Sequence, residues 1–125
     1  IFLPDTPGAE IHANVQPLAG EVVFQKHYPN SFRDTPLLDH LKREGVTRVV
    51  ICGMQTHMCV DATTRAAFDF GFGCWVASDA CATKTLTFGG QTIPAPHVHG
   101  SFLSALASMY GKVLSVAEIV EQLQS

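Results

Sequence analysis

Three residues that can do covalent or proton-transfer chemistry stand where strands of this chain are expected to end: Lys26, Cys59 and Asp79. Cys59 follows the apolar run Val46 to Cys52 by a few residues and falls in the first turn of an Ala-rich segment. At a helix start, free main-chain N–H groups and the positive end of the helix dipole stabilise a thiolate. Lys26 closes the run Glu21 to Lys26, and a cation on the same rim favours the nucleophilic form of the thiol. A thiol and an ammonium so placed make an acyl-transfer site. Each residue also has an ordinary reading. A cysteine in such a chain commonly packs as a small hydrophobe, a strand-ending lysine is a solvated tip or edge guard, and Asp79 can cap the turn that follows it. His27, His57, His97 and His99 are individually weak signals, since a surface or satisfied ring is the commoner case.

Cys52, Cys59, Cys74 and Cys81 allow three disulfide pairings, but Cys52 ends one apolar run and Cys74 opens another. Thiols there behave as core groups, and a chain with this much apolar material needs no staples, so reduced thiols are expected. A zinc site from Cys59, Cys81 and the pair His97 and His99 lacks the close Cys-x-x-Cys or His-x-x-x-His spacing that anchors such sites.

The elements that must hold these groups follow from the punctuation. Ile1 to Gly20 carries three prolines and no sustained period and reads as loop. Glu21 to Lys26 alternates as a strand, with Val22 and Phe24 on one face. Thr35 and Pro36 supply an N-cap and a first-turn proline for a helix with the stripe Leu37, Leu38, Leu41, stopped by Gly45. Val46 to Cys52 is apolar on both faces, as in a strand covered on two sides. A helix over Met58 to Phe70 ends at Gly71, and Gly73 to Ala77 forms a third buried strand. Ser78 to Ala95 reads as a long loop, His97 to Tyr110 as a helix, and Lys112 to Leu114 as a short strand. Ser115 to Glu118 is a capping box that opens the last helix. Four strands alternating with four helices predict an α/β domain with a parallel sheet, whose chemistry sits beyond the carboxyl ends of the strands.

With 125 residues the chain is a single domain, and 46% hydrophobic residues with a net charge of −3 allow a core while arguing against phosphate-backbone binding. No run of about 18 apolar residues spans a membrane, and Pro4 and Asp5 interrupt the apolar start before it can read as a signal sequence. The expected setting is the cytoplasm, with a small-molecule substrate and neither nucleic acid nor membrane as partner.

The segment from Val22 to Phe32 that contains Lys26, the run Gly53-Met54-Gln55-Thr56-His57-Met58-Cys59-Val60 with Ala62 and Thr63, and Ser78-Asp79-Ala80 together resemble the isochorismatase-like cysteine hydrolases. That family includes nicotinamidases, N-carbamoylsarcosine amidases and ureidoacrylate amidohydrolases. The similarity runs from about Gly8 to the end of the chain, in the family's order. It implies a Rossmann-like three-layer sandwich, with a six-stranded parallel sheet between helices, and a Cys, Lys, Asp catalytic set. Cys59 matches the nucleophile and Lys26 the lysine. A cis peptide is implied at Met54–Gln55, so that the amides of Gln55 and Cys59 form an oxyanion hole. The family's aspartate ends the first strand in an Asp-x-Gln-like segment that has no counterpart here, and Asp5, in a proline-flanked loop, does not replace it. By that alignment the chain, residues 1–125, is one isochorismatase-like domain lacking its first two strands and the helix between them.

What the resemblance implies for function is hydrolysis of a C–N bond in a small amide or ureido compound through a thioester. Isochorismate-type vinyl ether hydrolysis is the second enzymatic reading, disfavoured by Cys59 because members that do it lack the thiol. A non-catalytic fragment or binding module is the third. Tyr28, Phe32, His57 and Met58 flank the catalytic positions as substrate contacts, and Thr83 to Gln91 is a candidate lid. The resemblance implies a metal site only for the nicotinamidase group, in a segment absent here, so no metal or other cofactor is expected. A homo-oligomer is expected from the family's habit.

Overall fold

The structure is a computed structural model that describes residues 3–125, so the apolar start at Ile1 and Phe2 lies outside the described residues. The front segment follows its prolines and glycines, with single 3-10 turns at Pro7–Ala9 and Ala13–Val15 and no longer element before Leu37. The strand expected over Glu21 to Lys26 is not formed. A strand exists through its ladder, and among the described residues no neighbour pairs with this segment. Val22 and Val23 remain more than half exposed, at 54% and 58%, while Phe24 packs edge-on against His40 at 5.5 Å.

The first helix, α1 (Leu37–Arg43), places Pro36 just before its first turn rather than inside it, and the Thr35 hydroxyl accepts from the Leu37 amide at 3.4 Å. Strand β1 (Arg48–Met54) leads through a wide π-type turn, Thr56–Val60, into α2 (Asp61–Asp69). Next come β2 (Gly73–Ala82), the hairpin strands β3 (Leu86–Phe88) and β4 (Gln91–Ile93), α3 (Ala95–Met109), β5 (Lys112–Leu114) and α4 (Val116–Gln124). The parallel sheet has the order β1-β2-β5, so it contains three of the four expected strands. The expected loop over Ser78 to Ala95 instead contains the end of β2 and an antiparallel hairpin closed by Gly89 and Gly90, both at positive φ, which a two-residue turn of this kind demands.

Helices cover both faces of the sheet. On one side, Leu37, Leu38 and Leu41 of α1 and Ala67 of α2 pack with Phe32, Phe72 and Cys74, and beside them Val60 and Val76 meet Leu103 and Leu106 of α3. On the other, Ile119 of α4 covers Trp75 and Ala77 of β2. The capping box of α4 has both halves in place, with the Ser115 hydroxyl accepting from the Glu118 amide and the Glu118 carboxylate accepting from the Ser115 amide. β1 departs from the two-sided burial expected of it. Val49 and Ile51 face the core, but Val50 and Met54 are 46% and 54% exposed and Cys52 is exposed, because α4 lies over β2 and not over β1. Among the described residues no helix is long and apolar enough to cross a membrane.

Candidate active site

β1 ends at Met54, and the next peptide bond, Met54–Gln55, is cis. The chain then turns through Thr56–Val60, where the Gln55 carbonyl accepts from the amides of Met58, at 3.0 Å, and Val60, at 3.2 Å, on either side of Cys59. This widened turn precedes α2 and sets Cys59 half-buried at its mouth. Insertions of this kind recur at functional sites, because the extra residue re-aims side chains and amides.

Lys26 reaches the same point from the front segment. Its ammonium lies 3.3 Å from the Cys59 sulfur and donates to the carbonyls of Tyr28 at 2.8 Å and Pro29 at 3.1 Å. The unpaired segment is held by side chains instead of a ladder. Ser31 donates its amide to the Thr63 hydroxyl on α2 at 3.0 Å, and that hydroxyl lies 3.3 Å from the Pro29 carbonyl. Thr63 therefore ties the loop that carries Lys26 to the helix that follows Cys59. Among the described residues the sole ion pair is Arg65 with Asp61, so no carboxylate reaches the Lys26 ammonium.

The remaining expected site residues divide. His57 is half-buried, with Nδ1 2.7 Å from the Thr83 hydroxyl and its ring edge-on to Phe102, so it joins the turn to the segment proposed as a lid. Tyr28 is 37% exposed, its ring covered by the Arg33 guanidinium at 3.6 Å. Phe32 is a correction: it is 9% exposed in the core cluster, its ring 5.2 Å from Phe70 and 6.3 Å from Phe72, and it packs the sheet face instead of lining the thiol. Asp79 accepts from the Val116 amide at 2.8 Å and so caps α4 across the fold, a distant partner and not the turn that follows it in sequence. All four cysteines are free. Burial pushes the Cys74 thiol up, and it does the same to Cys81, aided by the nearby Cys52 and Asp79 and opposed by a hydrogen bond from Gly53. Cys52, expected in the core, is exposed.

Sequence reasoning assigned no role to Thr56, Ser78 or His99 in the site. The Thr56 hydroxyl, fully buried, sits 2.9 Å from His99 Nδ1, and His99 Nε2 sits 3.0 Å from the Ser78 carbonyl. No sequence pattern marks this tie; its sign is the burial of the Thr56 hydroxyl in the structure, since such a group must find a partner.

Residues 1–118 match the Isochorismatase domain family. The chain is 50% identical over 112 residues to the isochorismatase family protein YddQ of Bacillus subtilis, covering 90% of this chain and 62% of that one. It is 40% identical over 95 residues to a streptothricin hydrolase of Streptomyces noursei, covering 74% of this chain and 38% of that protein. Nicotinamidase 3 of Arabidopsis thaliana and maleamate amidohydrolase of Pseudomonas putida are each 32% identical over the matched stretch. The crystal structure of an isochorismatase from Pseudomonas putida superposes with a TM-score of 0.90 at 33% identity, over 94% of this chain and 60% of that one. The chain thus spans about three fifths of the length of YddQ and of the Pseudomonas enzyme. A parallel sheet between helices, a thiol beside an ammonium at its carboxyl edge, and a domain match over nearly the whole length agree: the chain belongs to the isochorismatase family of hydrolases.

Proposed function

We propose that the protein hydrolyses a C–N bond in a small amide or ureido compound through a thioester on Cys59. The observation that carries this reading is the 3.3 Å approach of the Lys26 ammonium to the Cys59 sulfur. Two carbonyls, those of Tyr28 and Pro29, hold that cation in place against the sulfur. The sulfur attacks the substrate carbonyl, and the amides of Gln55 and Cys59 hold the negative charge that develops on its oxygen. One such donor is worth about 2.7–4 kcal/mol in the transition state. Collapse expels ammonia or an amine, whose nitrogen takes a proton from a general acid, and water then cleaves the thioester.

No described residue fills the role of that acid. The reading therefore includes a carboxylate from a segment of the whole protein outside these 125 residues, on the open side of β1. Three observations support it: the three-fifths coverage of relatives, the absence of a described carboxylate at Lys26, and the exposed Val50 and Met54 face. That face, with Val116, Val120 and Leu123 of α4 at 43–60% exposure, also favours burial against further chain in a homo-oligomer. The substrate proposed is a small molecule met in the cytoplasm, bounded by Tyr28, His57 and Met58 and covered by the hairpin β3–β4. The names of the amide-cleaving relatives support an amide in place of a vinyl ether.

The test is ammonia release from nicotinamide and maleamate by the full-length protein and its Cys59→Ala variant. Loss of all release in the variant is expected. Turnover that survives without the thiol would contradict the mechanism.

A further inference from the structure

The end of β1 is joined to the interior by one polar chain that the chemistry above does not use. β2 breaks register opposite it: Ile51 pairs with Val76, but Gly53 pairs with Cys81, so β2 bulges between them. A bulge takes main-chain groups out of the ladder. The carbonyl of Ser78, within this bulge, faces His99 Nε2 at 3.0 Å. A carbonyl only accepts, so Nε2 carries the hydrogen, and in that tautomer Nδ1 is the acceptor. The Thr56 hydroxyl, 2.9 Å away, therefore donates to Nδ1. Thr56 is fully buried and directly follows Gln55, and its own carbonyl accepts the Asp61 amide at the start of α2.

We infer that Thr56 and His99 are positioning residues for the proposed oxyanion site: the hydrogen bond between them locks the Gln55 amide in place by tying its turn to α3 and the β2 bulge. This inference rests on the reading of Cys59 as an acyl-transfer nucleophile. It separates two properties of the site. The sulfur's own reactivity depends on Lys26, whereas the amide that meets the developing oxyanion depends on Thr56 and His99. A displacement of catalytic groups by about an ångström can cost on the order of a hundredfold in rate.

Two probes of Cys59 in the full-length protein make the separation measurable. p-Nitrophenyl acetate acylates the sulfur through a tetrahedral oxyanion: the S–C bond forms, the C–O bond breaks, and p-nitrophenolate leaves with the electron pair. Iodoacetamide alkylates the sulfur by displacing iodide and forms no oxyanion. Thr56→Val, which keeps shape and removes the hydroxyl, is expected to slow the p-nitrophenolate burst by about ten- to a hundredfold, and alkylation by no more than about threefold. Thr56→Ser and His99→Asn, which keep a donor and an acceptor respectively, are expected to restore most of the burst. His99→Leu cuts the same tie from its half-buried end and gives the same pattern should Thr56→Val not fold. An unchanged burst in a folded hydroxyl-less or Leu variant, or an equal fall in burst and alkylation, overturns the inference. If instead Cys59→Ala keeps the burst, the reading of the nucleophile has failed, and that outcome is distinct.

Discussion

Replacing Lys26 with Met keeps most of the side chain's length and removes its charge, which isolates what the ammonium does to Cys59. At the observed separation of 3.3 Å, unit charges attract by about 1.3 kcal/mol under full water screening and about 5 kcal/mol at the effective dielectric of a partly shielded rim. Lys26 is exposed and Cys59 half-buried, so solvent screening governs and the lower figure applies. As a rate, that corresponds to about a tenfold slower reaction of the sulfur. The assay is the rate of iodoacetamide alkylation of Cys59 at neutral pH, followed by peptide mass spectrometry so that Cys52 is not counted with it. Lys26→Met is expected to slow Cys59 alkylation by about tenfold and leave Cys52 unchanged. Lys26→Arg retains the charge and is expected to lose less. Added salt should narrow the difference between the parent and Lys26→Met, because an exposed pair is screened. Equal Cys59 rates in the parent and Lys26→Met would show that the ammonium does not activate the sulfur.

Cys74 and Cys81, whose thiols burial pushes up, should resist alkylation at neutral pH and become reactive only above the ordinary thiol range. The sign follows from the native state holding their protons more tightly: this contribution to stability is present at neutral pH and fades as pH climbs through the raised values, which unfolding titrations at alkaline pH would register. Ser115→Ala removes half of the α4 capping box and should cost about 1 kcal/mol in denaturant unfolding; Asp79→Ala, which frees the Val116 amide, should cost a similar amount without touching Cys59 alkylation. Gly111→Ala should destabilise by about 1–3 kcal/mol or more, since the new Cβ would overlap the carbonyl oxygen of Cys74 and press on its side chain; a variant as stable as the parent would contradict the close approach of the turn between α3 and β5 to Cys74 of β2.

Elements that carry their own local signals were legible in the chain. The capping box before α4, the short strand Lys112–Leu114 and the glycine after α2 stand where side-chain chemistry and backbone sterics put them. Elements defined by their neighbours were not. Glu21 to Lys26 has the alternation of a strand and no ladder, and β1 has an apolar face that nothing described covers. Gly89-Gly90 was a hairpin signal read as loop, because its flanking runs, Leu86–Phe88 and Gln91–Ile93, are only three residues each. In the site, Lys26 meets Cys59 without the strand expected to end at it, held from a loop by the carbonyls of Tyr28 and Pro29. Phe32 misled because an aromatic a few residues from Lys26 in sequence need not share its direction, and here it meets Phe70 and Phe72. The Thr56, His99 and Ser78 chain links residues 43 and 21 positions apart, a distance that no local pattern bridges.

The most direct measurement is rapid acid quench of the full-length protein during turnover of an amide it cleaves, followed by mass analysis of its cysteine peptides. An acyl group on the peptide bearing Cys59, absent after alkylation of that sulfur, is the predicted result. Turnover with every cysteine peptide unmodified, and with its rate unaffected by loss of the sulfur, would contradict the account.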